Sequence, residues 1–163
     1  KAAGADRYVP ASFNAAADAI KTAEAAIEEQ NSKFALFRNY DAAKTTLASV
    51  NDLVKKAVDE TAARKEALKA EVNQALTDLN ALITTNKEML KKAPKGKEGK
   101  AALEAIGQEI SAVEAVATEV AAGVASNADI LTLSEKIKPA VEKAKSINTE
   151  LTDVMSKVKG GKK

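Results

Sequence analysis

The 163-residue chain contains no cysteine, no histidine and no tryptophan. The absence of cysteine excludes disulfides, thiolate metal sites and cysteine nucleophiles. The absence of histidine removes the side chain that titrates nearest neutrality and the commonest metal ligand, and it leaves serine and threonine with no imidazole to activate them. Proline occurs three times and glycine seven, and no glycine-rich phosphate loop is present. No stretch approaches the ~18 apolar residues that a membrane-spanning helix needs. Neither sign of charge dominates: 25 basic residues against 23 acidic ones leave a net charge of +2, which argues against the electrostatic footprint of a nucleic-acid-binding domain. Enzymes are therefore the class that this composition supports least, and it implies no cofactor and no metal.

What remains is a helical vocabulary. About a fifth of the residues are alanine, the best helix former, and leucine, lysine and glutamate supply most of the rest. Aromatics make up only 3%, so a core must be built from Ala, Val, Ile and Leu, which lets helices approach closely but buries little area per residue. By length the chain reads as one all-α domain spanning residues 1–163.

Apolar periodicity predicts four helices. Pro10 can occupy a first helical turn, and a helix over about 10–31 carries the seam Phe13, Ala16, Ile20, Ala23 and Ile27. The segment Lys33 to Tyr40, KFALFRNY, breaks the pattern and makes a corner, after which Asp41 can start a helix. From 41 to 92 there is neither glycine nor proline. The seam there runs through Leu47, Val50, Val54, Ala57, Leu68, Val72, Ala75, Leu79 and Leu82, thinning to alanines between charges over Asp59–Lys69. Unbroken, that helix would be about 75 Å long at about 1.5 Å per residue, a spine shared by two hairpins. The loop Ala93–Gly99, APKGKEG, precedes a third helix over about 100–125 with the seam Leu103, Ile106, Ile110, Val113, Ala117, Val120 and Val124. Gly123, Ser126, Asn127 and Asp129 then supply stop and start signals. A fourth helix over about 129–159 carries Ile130, Leu133, Ile137, Ala140, Ala144, Ile147, Leu151, Val154 and Val158, with Pro139 expected to kink or briefly break it. The expected fold is an elongated antiparallel four-helix bundle with coiled-coil-like seams. Polar Thr61, Thr84, Asn86 and Asn148 lie near the seams and are read as setting register.

Two clusters stand out as interaction surfaces. Tyr8, Phe13, Phe34, Phe37 and Tyr40 are all the aromatics, and all fall in the first 40 residues. They form either an aromatic docking corner for a peptide, glycan or lipid edge, or a plug for the open end of an alanine-rich bundle, and the plug is the plainer reading. Lys91, Lys92, Lys95, Lys97 and Lys100 flank the third connection, and Lys157, Lys159, Lys162 and Lys163 end the chain. An up-down order would gather them at one basic pole able to hold an anionic lipid or envelope surface; singly, each is explained by the helix C-terminal dipole and by solubility. Carboxylate pairs such as Glu28 with Glu29 and Asp59 with Glu60 read as solvated faces rather than as an acid–base pair.

The stretch GADRYVPASFNAAADAIKTAEAAI, followed by RNYDAAKTTLASVNDLVKKAVDETA, resembles a family of small alanine-rich helical lipoproteins of Gram-negative bacterial envelopes, through Gly4, Ala5, Tyr8, Pro10, Phe13, Tyr40 and Ala43. The resemblance covers about the first 70 residues. It implies a periplasmic or envelope location, with a lipid anchor upstream of Lys1, and brings no catalytic residues. The function expected is that of a non-enzymatic structural or adaptor protein acting on a protein partner or on itself through helix surfaces. The alternatives are a phasin-like coat on a hydrophobic granule or lipid surface, and a self-assembling fibre subunit. An unprocessed chain would instead belong to the cytoplasm.

Overall fold

A computed structural model describes residues 4–94 and 100–160, with side chains to residue 156. Every regular element among the described residues is helical. In order they are α1 (Ala5–Tyr8), α2 (Pro10–Ser32), a 3-10 turn (Ala35–Phe37), α3 (Asp41–Lys92), α4 (Lys100–Ala125) and α5 (Ile130–Gly160). Packing divides the chain into two compact units, Lys1–Ala67 and Leu68–Lys163. The boundary falls inside the Asp59–Lys69 stretch, where the apolar seam of α3 thins, and α3 contributes residues to both units.

The second unit is closed by aliphatic side chains. Leu79, Ile137, Ile147, Leu151, Val72 and Val120 are each almost fully buried and belong to one continuous cluster. The expected seams of α4 and α5 are the buried ones: Ile106, Ile110, Val113, Ala117 and Val120 face inward from α4, and Leu133, Ile137, Ala140, Ala144, Ile147 and Leu151 from α5. Lys136 pairs with Glu119 and Lys143 Nζ lies 2.7 Å from Glu109, so α5 runs antiparallel to α4. Lys87 of α3 reaches Glu114 of α4 at 2.6 Å. All three acids of these pairs sit on α4 and all three bases on its neighbours. The side chains are about half exposed, so each pair contributes at most about 1 kcal/mol and serves chiefly to fix which helix lies beside which.

A polar contact inside this core fixes register. Asn86 is 1% exposed, donates Nδ2–H to the Ala144 carbonyl at 2.8 Å, and accepts from Asn148 Nδ2 at 2.8 Å. A slip of α5 along α3 would break both bonds and leave a buried amide unsatisfied. Thr61 instead returns its buried hydroxyl to the Ala57 carbonyl at 2.6 Å, and Thr84 does the same to Asn80 on an exposed face.

Local chemistry sets the ends of the helices. Asn127 adopts a left-handed conformation, φ 54°, and the bonds Asn127 N–H to Val124 O and Ala128 N–H to Gly123 O close α4 in a Schellman turn. Thr132 Oγ1 then donates to Asp129 Oδ2 at 2.9 Å in the first turn of α5. The observed helix limits follow the expected ones closely, with α1 and the 3-10 turn as additions. α5 passes Pro139 as one helix, so the expected break does not occur. The bond that Pro139 cannot make belongs to the carbonyl of Glu135, and both residues lie on the exposed side, where water can replace it.

The first unit is built differently. Ser12 Oγ donates to Glu60 at one end, and Tyr40 Oη donates to Asn31 Oδ1 at 2.7 Å at the other, which pairs α2 and α3 as an antiparallel hairpin. Its buried apolar residues are Ala5, Ala16, Ala23, Ala43 and Ala57, all alanines. The expected seam was wider than the buried line. Ile20, Leu47 and Val54 are 39%, 44% and 44% exposed, while Leu53 is drawn partly inward. Alanine permits a close approach of the two backbones, and side chains of greater bulk are then left outside the contact.

Ile147→Ala removes a fully buried side chain from the aliphatic core and is expected to lower stability by about 2–5 kcal/mol, measured by urea unfolding. Asn86→Ala strips Asn148 of its acceptor and is expected to cost about 1–3 kcal/mol in the same assay.

Candidate functional site

The corner between α2 and α3 presents apolar side chains from a turn tied by polar bonds. Arg38 donates Nε–H to the Lys33 carbonyl and Nη2–H to the Asn31 carbonyl, each at 3.1 Å, and so satisfies acceptors left open at the end of α2. Gln30 Oε1 accepts from Asn39 N–H at 3.0 Å, and Asn39 Oδ1 accepts from Asp41 N–H at 2.8 Å at the start of α3. Lys33 Nζ pairs with Glu29 at 3.0 Å. Within this frame Phe34, Leu36 and Phe37 are 70%, 84% and 75% exposed. The plug reading of the aromatics therefore does not hold for Phe34 and Phe37, which point to solvent. Leu36, overlooked in a reading confined to aromatics, is the most exposed of the three.

The five aromatics do not form one surface. Tyr40 is half-buried and ties the corner through its hydroxyl. Tyr8 and Phe13 lie at the other end of the hairpin, about 30 Å of helix away from Phe34 at about 1.5 Å per residue. There the Lys65 ammonium sits 4.9 Å from the centre of the Tyr8 ring, a cation–π contact. Only Phe34 and Phe37 remain as an aromatic corner.

A second apolar feature lies along the hairpin, and the expected seams concealed it. At about 100° per residue, Leu47, Val54 and Val58 fall on one flank of α3, just past the inward line of buried Ala43 and Ala57 and half-buried Val50. Phe13 and Ile20 fall in the same rotational sense past Ala16 and Ala23 on α2. Because the helices run in opposite directions, that shared sense puts both flanks on the same side of the hairpin. Together they make one apolar face with Leu47, Val54 and Val58 exposed by 44–47%. The sequence signal was the surplus of large apolar residues beside the alanine line.

All the exposed large apolar residues among the described ones, Ile20, Phe34, Leu36, Phe37, Leu47, Val54 and Val58, belong to the first unit. None belongs to the second unit.

The lysine pole can be followed only in part. Lys95 and Lys97, with Lys162 and Lys163, lie outside the described residues, as do the side chains of Lys157 and Lys159. Lys91 and Lys92 end α3 and Lys100 opens α4, all three exposed. Lys92 pairs loosely with Glu88 at 4.0 Å and Lys100 with Glu104 at 3.9 Å. Leu90, Lys91, Lys100, Leu103 and Glu104 line an open cleft of about 350 Å³. Among the described residues no group of three or more carboxylates could hold a metal ion, and no helix is long and apolar enough to cross a membrane. No buried side-chain polar atom among them lacks a hydrogen-bond partner.

No protein-family model, curated protein or solved structure matches the chain.

The corner yields its own test. Arg38→Ala removes both bonds to the end of α2 and is expected to make the 33–40 segment more susceptible to limited proteolysis, with the thermal unfolding of the second unit unchanged.

Proposed function

We propose that the chain is a non-enzymatic structural or adaptor protein of a bacterial envelope, in which the second unit is a stable base and the first unit is the docking element. One observation carries this reading. Every exposed large apolar side chain among the described residues lies in the first unit. Scattered exposed leucines are ordinary, but a hairpin with an alanine contact, an apolar flank and an apolar corner departs from a self-sufficient surface. The corner is held in shape by Arg38, Asn39, Gln30 and Tyr40, so a partner would meet it with little ordering cost. The resemblance of the first 70 residues to envelope lipoproteins favours the compartment.

The charge pattern favours a protein partner over a lipid coat. Lys33 and Arg38, the bases beside the corner, are both engaged within the turn, whereas a helix lying in a lipid interface presents free lysines along its polar face. Catalysis is not part of the proposal, because acid, base and nucleophile would have to be drawn from solvated carboxylates, lysines and unactivated hydroxyls.

Site-specific photo-crosslinking in the cells that make the protein tests this. A photoreactive phenylalanine analogue at Phe37 or Val54 is expected to give defined protein adducts that fractionate with the envelope, and the same analogue at exposed Glu135 on α5 to give none. Equal yields from all three positions would contradict a dedicated docking unit, and adducts confined to the cytosol would contradict the compartment.

A further inference from the structure

We infer that the partner of the hairpin's apolar face is a second copy of the same hairpin, joined about a two-fold axis parallel to the helices. This rests on the proposal that the first unit is the docking element, and it names the occupant. Charges beside the face supply the argument.

On α2, the residues just beyond Phe13 and Ile20 in the same rotational sense are Glu24 and Glu28, both exposed and neither in an ion pair among the described residues. Beyond Leu47 and Val54 on α3 lies Lys44, whose only ion pair is the exposed 3.6 Å contact to Asp41, of little energetic weight. Lys55 follows Lys44 on that border of α3, and Lys21, paired with Asp18 at 3.5 Å, lies farther round than Glu28 on α2, so the charges nearest the face are acidic on α2 and basic on α3. Ser12 opposite Glu60 and Asn31 opposite Tyr40 fix the levels within the hairpin, and they bring Glu24 level with Leu47 and Glu28 level with Lys44.

Two kinds of two-fold axis can join such a face to its copy. An axis across the helices would lay α2 on the other α2 and α3 on the other α3, which sets the acid-bearing flank of α2 against itself and the base-bearing flank of α3 against itself. An axis along the helices lays α2 of one copy on α3 of the other at unchanged levels. Glu24 and Glu28 of each copy then meet Lys44 of the other, and the apolar flanks cover one another. Like-charge juxtaposition disfavours the first arrangement and complementarity selects the second. The result is a four-helix assembly of two hairpins, the usual way in which helices with wide apolar stripes complete a core. It also places the two corners side by side, Phe34, Leu36 and Phe37 of one copy next to those of the other.

Sedimentation equilibrium on the full chain over a range of concentrations, together with cysteine crosslinking, decides the matter. The protein has no cysteine, so Leu36→Cys introduces a single exposed thiol at the corner. The expected results are a monomer–dimer equilibrium and a disulfide-linked Leu36→Cys dimer under mild oxidation. Val54→Lys, an exposed position, is expected to raise the dimer Kd at least tenfold with helical circular dichroism unchanged. Lys44→Glu is expected to raise it severalfold, and the triple variant E24K/E28K/K44E to restore it. A dimer in which Leu36→Cys does not crosslink, or which tolerates Val54→Lys, would overturn the inference. So would a chain that stays monomeric at all concentrations. A monomer that still crosslinks through Phe37 and Val54 to a different protein, or that binds anionic vesicles through them, overturns the second copy as partner while the docking unit stands. A monomer giving no adduct from the first unit overturns both.

Discussion

Two helices that touch through alanine leave little room for larger side chains in their contact. That constraint organises the first unit. Ala16 and Ala23 on α2 lie inward with Ala43 and Ala57 on α3, Val50 and Leu53 are only half-buried beside them, and Ile20, Leu47, Val54 and Val58 are left on the flank. Each alanine methyl contributes only about 0.8 kcal/mol on burial, so the contact supplies geometry more than stability. The second unit follows the opposite rule, with leucine, isoleucine and valine packed among three helical segments and no large apolar side chain exposed among the described residues. The same long helix, α3, serves both rules in succession, and the change comes where its apolar stripe thins.

The polar interactions follow the same division. In the second unit they specify: Asn86 with Asn148 sets the register of α5 on α3, and acids on α4 facing lysines on both neighbours set the order of the helices. In the first unit they shape: Arg38, Gln30, Asn39 and Tyr40 hold a turn whose apolar side chains point away from the hairpin. A disordered loop would lose much of its binding energy on being ordered, and a turn already tied by side-chain bonds does not.

Helix positions were legible in the sequence because alanine-rich seams with steps of three and four residues are interrupted only at Pro10, at the KFALFRNY corner, at APKGKEG and at the Ser126–Asp129 turn. The central seam residues of α4 and α5, Ile106 to Val120 and Leu133 to Leu151, were legible as core, since each seam had one partner face to cover. The first half of α3 was not. There a strip of alanines and a strip of leucine and valine run side by side, and periodicity gives the same helix whichever strip is buried. Choosing Leu47 and Val54 follows the rule that larger residues go inside, and that rule fails when the partner helix is itself lined with alanine. The corner was misjudged for a related reason. Burying Phe34 and Phe37 in a gap presumes one at the corner, where the turn instead holds both side chains out to solvent. Glu24, Glu28 and Lys44 carried no signal in one dimension, because only the antiparallel pairing brings their levels into correspondence. Pro139 does not break α5, because its exposed face lets water take the place of the missing bond.

The central claim is that the first unit is held by a thin alanine contact and completed by a partner, while the second is complete in itself. Native-state hydrogen exchange, read by mass spectrometry at two protein concentrations a hundredfold apart, tests it most directly. Protection near the global limit is expected in α4, α5 and the 68–92 part of α3 at both concentrations, with weaker protection in α2 and the 41–60 part of α3 that rises with concentration. Equal protection of both units at both concentrations would contradict it.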